Sequence, residues 1–135
     1  MVTDKNQALE GLKKGELALA EITIELRNDS EIAVEAIKQY GESAVTFLAA
    51  TNSLPHTPEV FLTILDDTRT SILKSIDKNL DLGLKNINEE NNIDKLMEMH
   101  SYLAGDLANI DAGIDKLTVL YKDLQKAPEK GGQEH

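Results

Sequence analysis

The 135-residue chain has no cysteine and no tryptophan. Without cysteine, disulfide staples and thiolate zinc sites are excluded. Aromatic residues are scarce at 4%, and Leu, Ile and Ala supply most of the apolar side chains, which favours helix-on-helix packing over a sheet sandwich. Basic residues are in deficit: 14 Lys and Arg against 24 Asp and Glu leave a formal charge of −10. That balance argues against nucleic acid and anionic membrane, both of which select basic patches. No window approaches 18 consecutive apolar residues, so no membrane span is expected. The first residues lack a basic stretch followed by an apolar one, so no secretory signal is read and the cytosol is the expected compartment. Export into a host cell without a cleavable signal is the alternative. A chain of this length is expected to form one domain that buries roughly two-thirds of its extended-chain surface.

What the sequence does contain is a long apolar seam. His100, Leu103, Leu107, Ile110, Ile114, Leu117, Tyr121 and Leu124 recur in alternating steps of three and four, and Ile93 with Leu96 or Met97 extends the stripe backwards. No proline interrupts it. The pattern predicts one helix spanning roughly 50 Å at about 1.5 Å per residue. Such a helix needs equally long neighbours or projects toward a partner.

Ahead of it, Thr3 or Asp4 is expected to cap a first helix with Leu9, Leu12, Leu19, Ile22 and Leu26 inward. Gly11 and Gly15 fall inside that helix, where close contact with a neighbour would explain them. Asn28-Asp29-Ser30 reads as a stop and a fresh cap. A second helix then carries Ile32, Ala33, Ala36, Ile37, Tyr40, Ala44, Phe47 and Leu48 to about Thr51, through Gly41.

The two helices are related. A shift of 25 residues sets Asp4 on Asp29, Ala8 on Ala33, Glu10 on Glu35, Leu12 on Ile37 and Lys13 on Lys38, the mark of stacked helical units. The stretch from Glu25 to Gly41, with Leu17-Ala18-Leu19 before it, resembles the DUF4116 repeat. That is a 25-residue helical repeat of unassigned function found in tandem arrays in bacterial and protist proteins. The resemblance covers about residues 4–53 and departs at Gly15, one position early, and after Gly41. It implies architecture and brings no catalytic or ligand residues.

Leu54-Pro55-His56-Thr57-Pro58 is the clearest boundary, with Thr57 as N-cap, Pro58 at the first helical position and Glu59 in the first turn. A third helix follows with Phe61, Ile64, Leu65, Thr68, Ile72, Ile76 and Leu80 inward. Gly83 and residues 86–92 mark a turn, and the long helix then runs to Lys126. Pro128 is expected to stop it, leaving 128–135 as a disordered tail. From Glu89 to Asp115 there are seven acids and one Lys, whereas Lys116, Lys122, Lys126 and Lys130 then face only Asp123 and Glu129. The third helix is graded oppositely, from Glu59, Asp66 and Asp67 to Lys74, Lys78 and Lys85. Antiparallel pairing of the two would set acid against base and suit both macrodipoles. The expected architecture is therefore all-α: a four-helix bundle with a shorter repeat-like pair at 4–52 packed on a long antiparallel hairpin at 58–126.

Chemistry has little purchase here. His100 lacks the Glu-x-x-His step of bundle metal sites, because position 97 is Met97. Asp111 and Asp115 share a face, as an acid–base pair would, but off the seam they read as solvated acids. No nucleophile has a His–acid arrangement nearby, so no enzyme, metal or cofactor is expected, and a metal-dependent bundle enzyme is the least favoured class. Ala104, Ala108 and Ala112, flanked by Gly105 and Gly113, form a small-residue stripe beside the seam. It reads either as tight packing against helix one or two, or as a docking or self-association face. The expected function is protein–protein interaction, as a small acidic adaptor, inhibitor or secretion-associated regulator, with a self-associating structural subunit as the alternative. The partner would be another protein with a basic surface, or a second copy as a homodimer. The candidate partner-binding residues are Leu82, Leu84, Ile87, Glu89, Glu90, Asp94, Met97 and Glu98, at a hairpin tip near 80–98 that should overhang, unless helix one covers it.

Overall fold

A computed structural model describes the backbone of residues 1–85 and 92–133, and side chains over residues 1–81 and 94–123. The chain is all-α. Among the described residues the helices are α1 (Lys5–Lys13), α2 (Ile24–Arg27), α3 (Ser30–Tyr40), α4 (Glu42–Ala50), α5 (Pro58–Lys85) and α6 (Asn92–Gln133), with a 3-10 turn at Leu19–Glu21.

The expected first helix is broken. Asp4 does cap α1, its carboxylate accepting from the Gln7 N–H at 2.9 Å, and Ala8 and Leu12 are buried. Gly15 then adopts φ +68°, a left-handed value that ends the helix and that only glycine takes without strain. The chain turns back so tightly that Leu17 lies against Gly11, where a Cβ would meet the Leu17 Cβ at 2.9 Å. Leu19 and Ile22 are buried as expected, but from the 3-10 turn and an extended residue. Ile22 forms a parallel bridge with Val2, held by the Val2 N–H on the Glu21 carbonyl at 2.7 Å and the Thr23 N–H on the Val2 carbonyl at 3.1 Å.

The second expected helix is also two. Asp29 caps α3 by accepting from the Glu31 and Ile32 N–H groups at 2.9 and 3.4 Å, and Ile32, Ala33, Ala36 and Ile37 are buried. Gly41, at φ +66°, separates α3 from α4, whose Ala44, Val45 and Leu48 are buried. Gly15 and Gly41 play corresponding parts, one position out of step under the 25-residue shift: each follows an Asp-capped helix and turns the chain. The first unit goes on into the 3-10 turn and α2, the second into α4.

From Pro58 onward the expected hairpin forms. The Thr57 hydroxyl accepts from the Val60 N–H at 3.3 Å at the start of α5. α5 and α6 make the most extensive pairing in the chain and run antiparallel. Pro58 lies by Leu120 at one end, Arg69 bonds Asp111 at 2.7 Å midway, and Leu80 lies by His100 toward the other. α6 runs past Pro128 to Gln133 instead of stopping there; proline's fixed φ is itself a helical value, although it removes one hydrogen bond and crowds the preceding turn. At about 1.5 Å per residue α5 is about 42 Å long and α6 about 63 Å.

One core lies where α1, α3 and α4 meet the paired helices. The seam of α6 is buried at Ile110 and Leu117, half-buried at Leu103, Leu107, Ile114 and Tyr121, and exposed at His100. On α5, Phe61, Leu65 and Ile72 are buried, while Leu80, expected inward, is 45% exposed. Ile110→Ala should therefore cost about 2–5 kcal/mol by transfer and cavity terms. His100→Gln should stay within about 1 kcal/mol. Urea titration of both variants checks the contrast, and equal losses would contradict the burial gradient.

Candidate interaction surface

At 3.6 residues per turn, α6 divides its circumference among its neighbours. One side carries the seam toward α5. A second takes α3 and α4: a Cβ on buried Gly113 would fall 2.7 Å from the Ile37 Cγ2 and 3.5 Å from Val45, so glycine permits this approach. One turn back, the Asn109 side-chain amide donates to the Lys38 carbonyl at 2.6 Å and serves an orphan acceptor at the end of α3. Another turn back, Asp106 faces Lys38 and Glu35, which pair at 3.4 Å. Burial pushes the Asp106 carboxyl above the ordinary carboxylate range, Glu35 adds to the rise, and Lys38 opposes it.

Beyond Asp106 the cover ends. From Asp94 to Gly105 every α6 side chain is exposed except half-buried Leu96 and Leu103. The opposing part of α5 is equally open after Ile72, with Ile76 and Asn79 half-buried. The hairpin thus projects as an arm, and helix α1 does not extend over it. Large apolar groups stand out on the arm: Leu73 at 37% exposure, Leu80 at 45%, Met97 at 65%, Met99 at 51% and Tyr102 at 68%. A shallow cavity of about 380 Å³ lies among Leu80, Leu96, Met97, His100 and Ser101. Lys74, Asp77, Lys78 and Asp81 on α5 and Asp94, Lys95 and Glu98 on α6 surround these groups in water.

Of the residues expected to bind a partner, Asp94, Met97 and Glu98 sit together, exposed, in the first two turns of α6. The side chains of Leu82 and Leu84, and all of Ile87, Glu89 and Glu90, lie outside the described residues. Met99, Tyr102 and Leu73 were not anticipated. Their signal was available, because each is a large apolar residue displaced from the alternating seam positions. The small-residue stripe divides: Gly113 packs on α3 and α4, whereas Ala104, Gly105 and Ala108 are exposed. Asp111 pairs with Arg69, both nearly half-exposed, and Asp115 is in water. His56 meets the Ser30 hydroxyl at 2.8 Å. Among the described residues no three His, Asp or Glu are grouped as metal ligands. A smaller apolar cavity of about 230 Å³ opens between the two repeat units at Leu19, Tyr40, Ala44 and Phe47. The Tyr40 hydroxyl beside it already donates to the Leu17 carbonyl, and Arg27 stacks on Phe47 at 5.2 Å.

The fold and surface define an all-α domain in which a repeat-like helical unit anchors a projecting hairpin. Residues 4–59 match the family described as "Domain of unknown function (DUF4116)", in line with the resemblance read over about residues 4–53. No curated protein and no solved structure matches the chain. Among the described residues no helix is long and apolar enough to cross a membrane.

The Asp106 environment gives a signed prediction. A carboxyl raised in the folded state binds protons more readily there than in the unfolded chain. Stability from this group therefore falls as pH rises from the ordinary carboxylate range, near 3.9, through the raised value. Asp106→Asn should be more stable than the parent at pH 7, with the gain disappearing by about pH 4. Thermal melts across that range check it; a variant less stable at pH 7 would show that Lys38 outweighs burial.

Proposed function

We propose that this protein is a small acidic protein–protein interaction module, an adaptor, inhibitor or regulator of another protein, whose working part is the projecting arm. The observation that carries the reading is the exposure of Met99 and Tyr102 on a helix whose described side chains are first buried at Ile110. Scattered single exposed apolar residues need no explanation, but a run on one segment without core cover is characteristic of an interaction site. Tyr is enriched at binding hot spots, and Met adapts to irregular partner surfaces. The net charge of −10, with Glu98 exposed on the arm, suits a basic partner surface. No catalytic role is proposed, because the acids that come together here serve the α3–α6 junction and the Arg69 pair. The reading fits a cytosolic protein or one exported without a cleavable signal.

Tyr102→Asp combined with Met99→Asp should leave the helical circular dichroism spectrum unchanged, since both side chains are exposed. Capture of a partner from the native cell, read by mass spectrometry, should be lost. Capture of the same protein by parent and variant alike would move the docking surface elsewhere.

A further inference from the structure

α6 has a third side, turned away from both α5 and the α3–α4 pair. Met97, Ser101, Ala104, Ala108, Asp115 and Val119 succeed one another along it in steps of three, four or seven, and all are exposed, Met97 at 65% and Val119 at 53%. A surface face of an ordinary helix is dominated by long charged side chains. This one holds mostly small or apolar groups over more than twenty residues. Charges sit at its two ends: Asp94 before Met97, and Lys122 after Val119, both exposed.

The spacing of these positions, though not their residue types, is symmetric about Ala108. Counting outward from it, Ala104 is as far as half-buried Ala112, Ser101 as Asp115, Met97 as Val119, and Asp94 as Lys122. We infer that this face of α6 packs antiparallel against the same face of a second copy, with the two-fold axis at Ala108. In that register Ala108 meets itself and Ala104 meets Ala112, so the backbones approach closely at the centre. Met97 of each copy covers Val119 of the other. The Ser101 hydroxyl donates to the Asp115 carboxylate, and Asp94 pairs with Lys122 at each end. A two-fold interface is self-complementary in this way, residue against residue in both directions. Parallel pairing would set Asp94 on Asp94 and Asp115 on Asp115, so charge selects the antiparallel arrangement. Met97 and Asp94 of the arm take part in this face, but Tyr102 and Met99 lie across the helix, so a foreign partner held by those two is tested separately.

The test uses the full chain. Sedimentation equilibrium over a concentration series should show a monomer of 14.9 kDa passing to twice that mass. Ala108→Arg places like charges on the axis and should leave a monomer of unchanged helicity, because the site is exposed in each copy. Asp94→Lys and Lys122→Asp should each weaken the dimer roughly tenfold, and the double exchange should restore it. The chain has no cysteine, so Ala108→Cys should oxidise to a covalent dimer while Ser75→Cys, exposed on α5, should not. A chain monomeric at every concentration, a dimer indifferent to Ala108→Arg, or reversals that fail to rescue each other would each overturn the inference. Those results leave the arm's Tyr102 and Met99 test untouched, so the two readings stand or fall separately.

Discussion

The close approach of Ile37 to the backbone of Gly113 sets the rest of this structure. With a Cβ at position 113 the Ile37 methyl would be 2.7 Å away, so α3 would have to withdraw from α6. Several other contacts depend on that distance. Asn109 reaches the Lys38 carbonyl only because the end of α3 lies one turn of α6 away, and the chain then turns at Gly41, where a Cβ would meet Asn109 at 3.0 Å. Val45 at the start of α4 lies against the same glycine. Asp106 is half-buried at the same junction and feels the charges of Glu35 and Lys38. Such contacts support one another, since the half-buried Asn109 amide, its carbonyl partner and the turn at Gly41 share one small region.

The repeat explains how a short N-terminal segment can make this junction. Asp4 and Asp29 start equivalent helices, Ala8 and Ala33, and Leu12 and Ile37, fill equivalent buried positions, and Gly15 and Gly41 end them at φ +68° and +66°. Each unit alone has too little apolar surface to fold; stacked, α1 packs on α3 and α3 on α6. Lys5 joins the two caps by bonding Asp29 at 3.1 Å and Glu31 at 3.2 Å. Burial raises the Asp29 carboxyl, but the Lys5 bond and the two N–H donors of the cap outweigh it, and the net displacement is downward.

The helical class, the Asp4, Asp29 and Thr57 caps, the hairpin and its antiparallel sense were legible in residue order. Each is set locally or by a periodicity long enough to be unambiguous. The breaks at Gly15 and Gly41 were not. Leu9, Leu12, Leu19 and Ile22 keep a helix-like spacing across a turn, because buried positions in a 3-10 turn and an extended residue happen to continue it. A glycine gives the same letter whether it permits a neighbour, as Gly113 does, or reverses the chain. Tertiary cover was equally hidden: the seam reads uniformly from His100 to Tyr121, yet only its later part finds α3 and α4 above it. Of the candidate site, Asp94 and Glu98 were legible as exposed because their charge keeps them in water, whereas Met97, also a backward extension of the seam, is exposed because it lies ahead of that cover. Tyr102 and Met99 lie between seam positions, and that displacement is the mark of their exposure in the sequence.

Charge order along α6 links the inner and outer faces. Acids gather in its first part and lysines in its last, as the helix dipole favours. A helix graded this way is complementary to any antiparallel neighbour graded likewise and repelled by a parallel one. Inside the chain the neighbour is α5, which runs antiparallel and is joined midway by the Arg69–Asp111 bond. Each such surface pair is worth under about 1 kcal/mol and does little to hold the helices together. Its larger effect is on orientation, because the wrong sense loses every pair at once and gains repulsions. The same gradient faces outward beyond the reach of α5. A second α6 laid against that face meets the selection that α5 met within the chain, so one distribution of charge can specify both the hairpin and its pairing with a copy of itself.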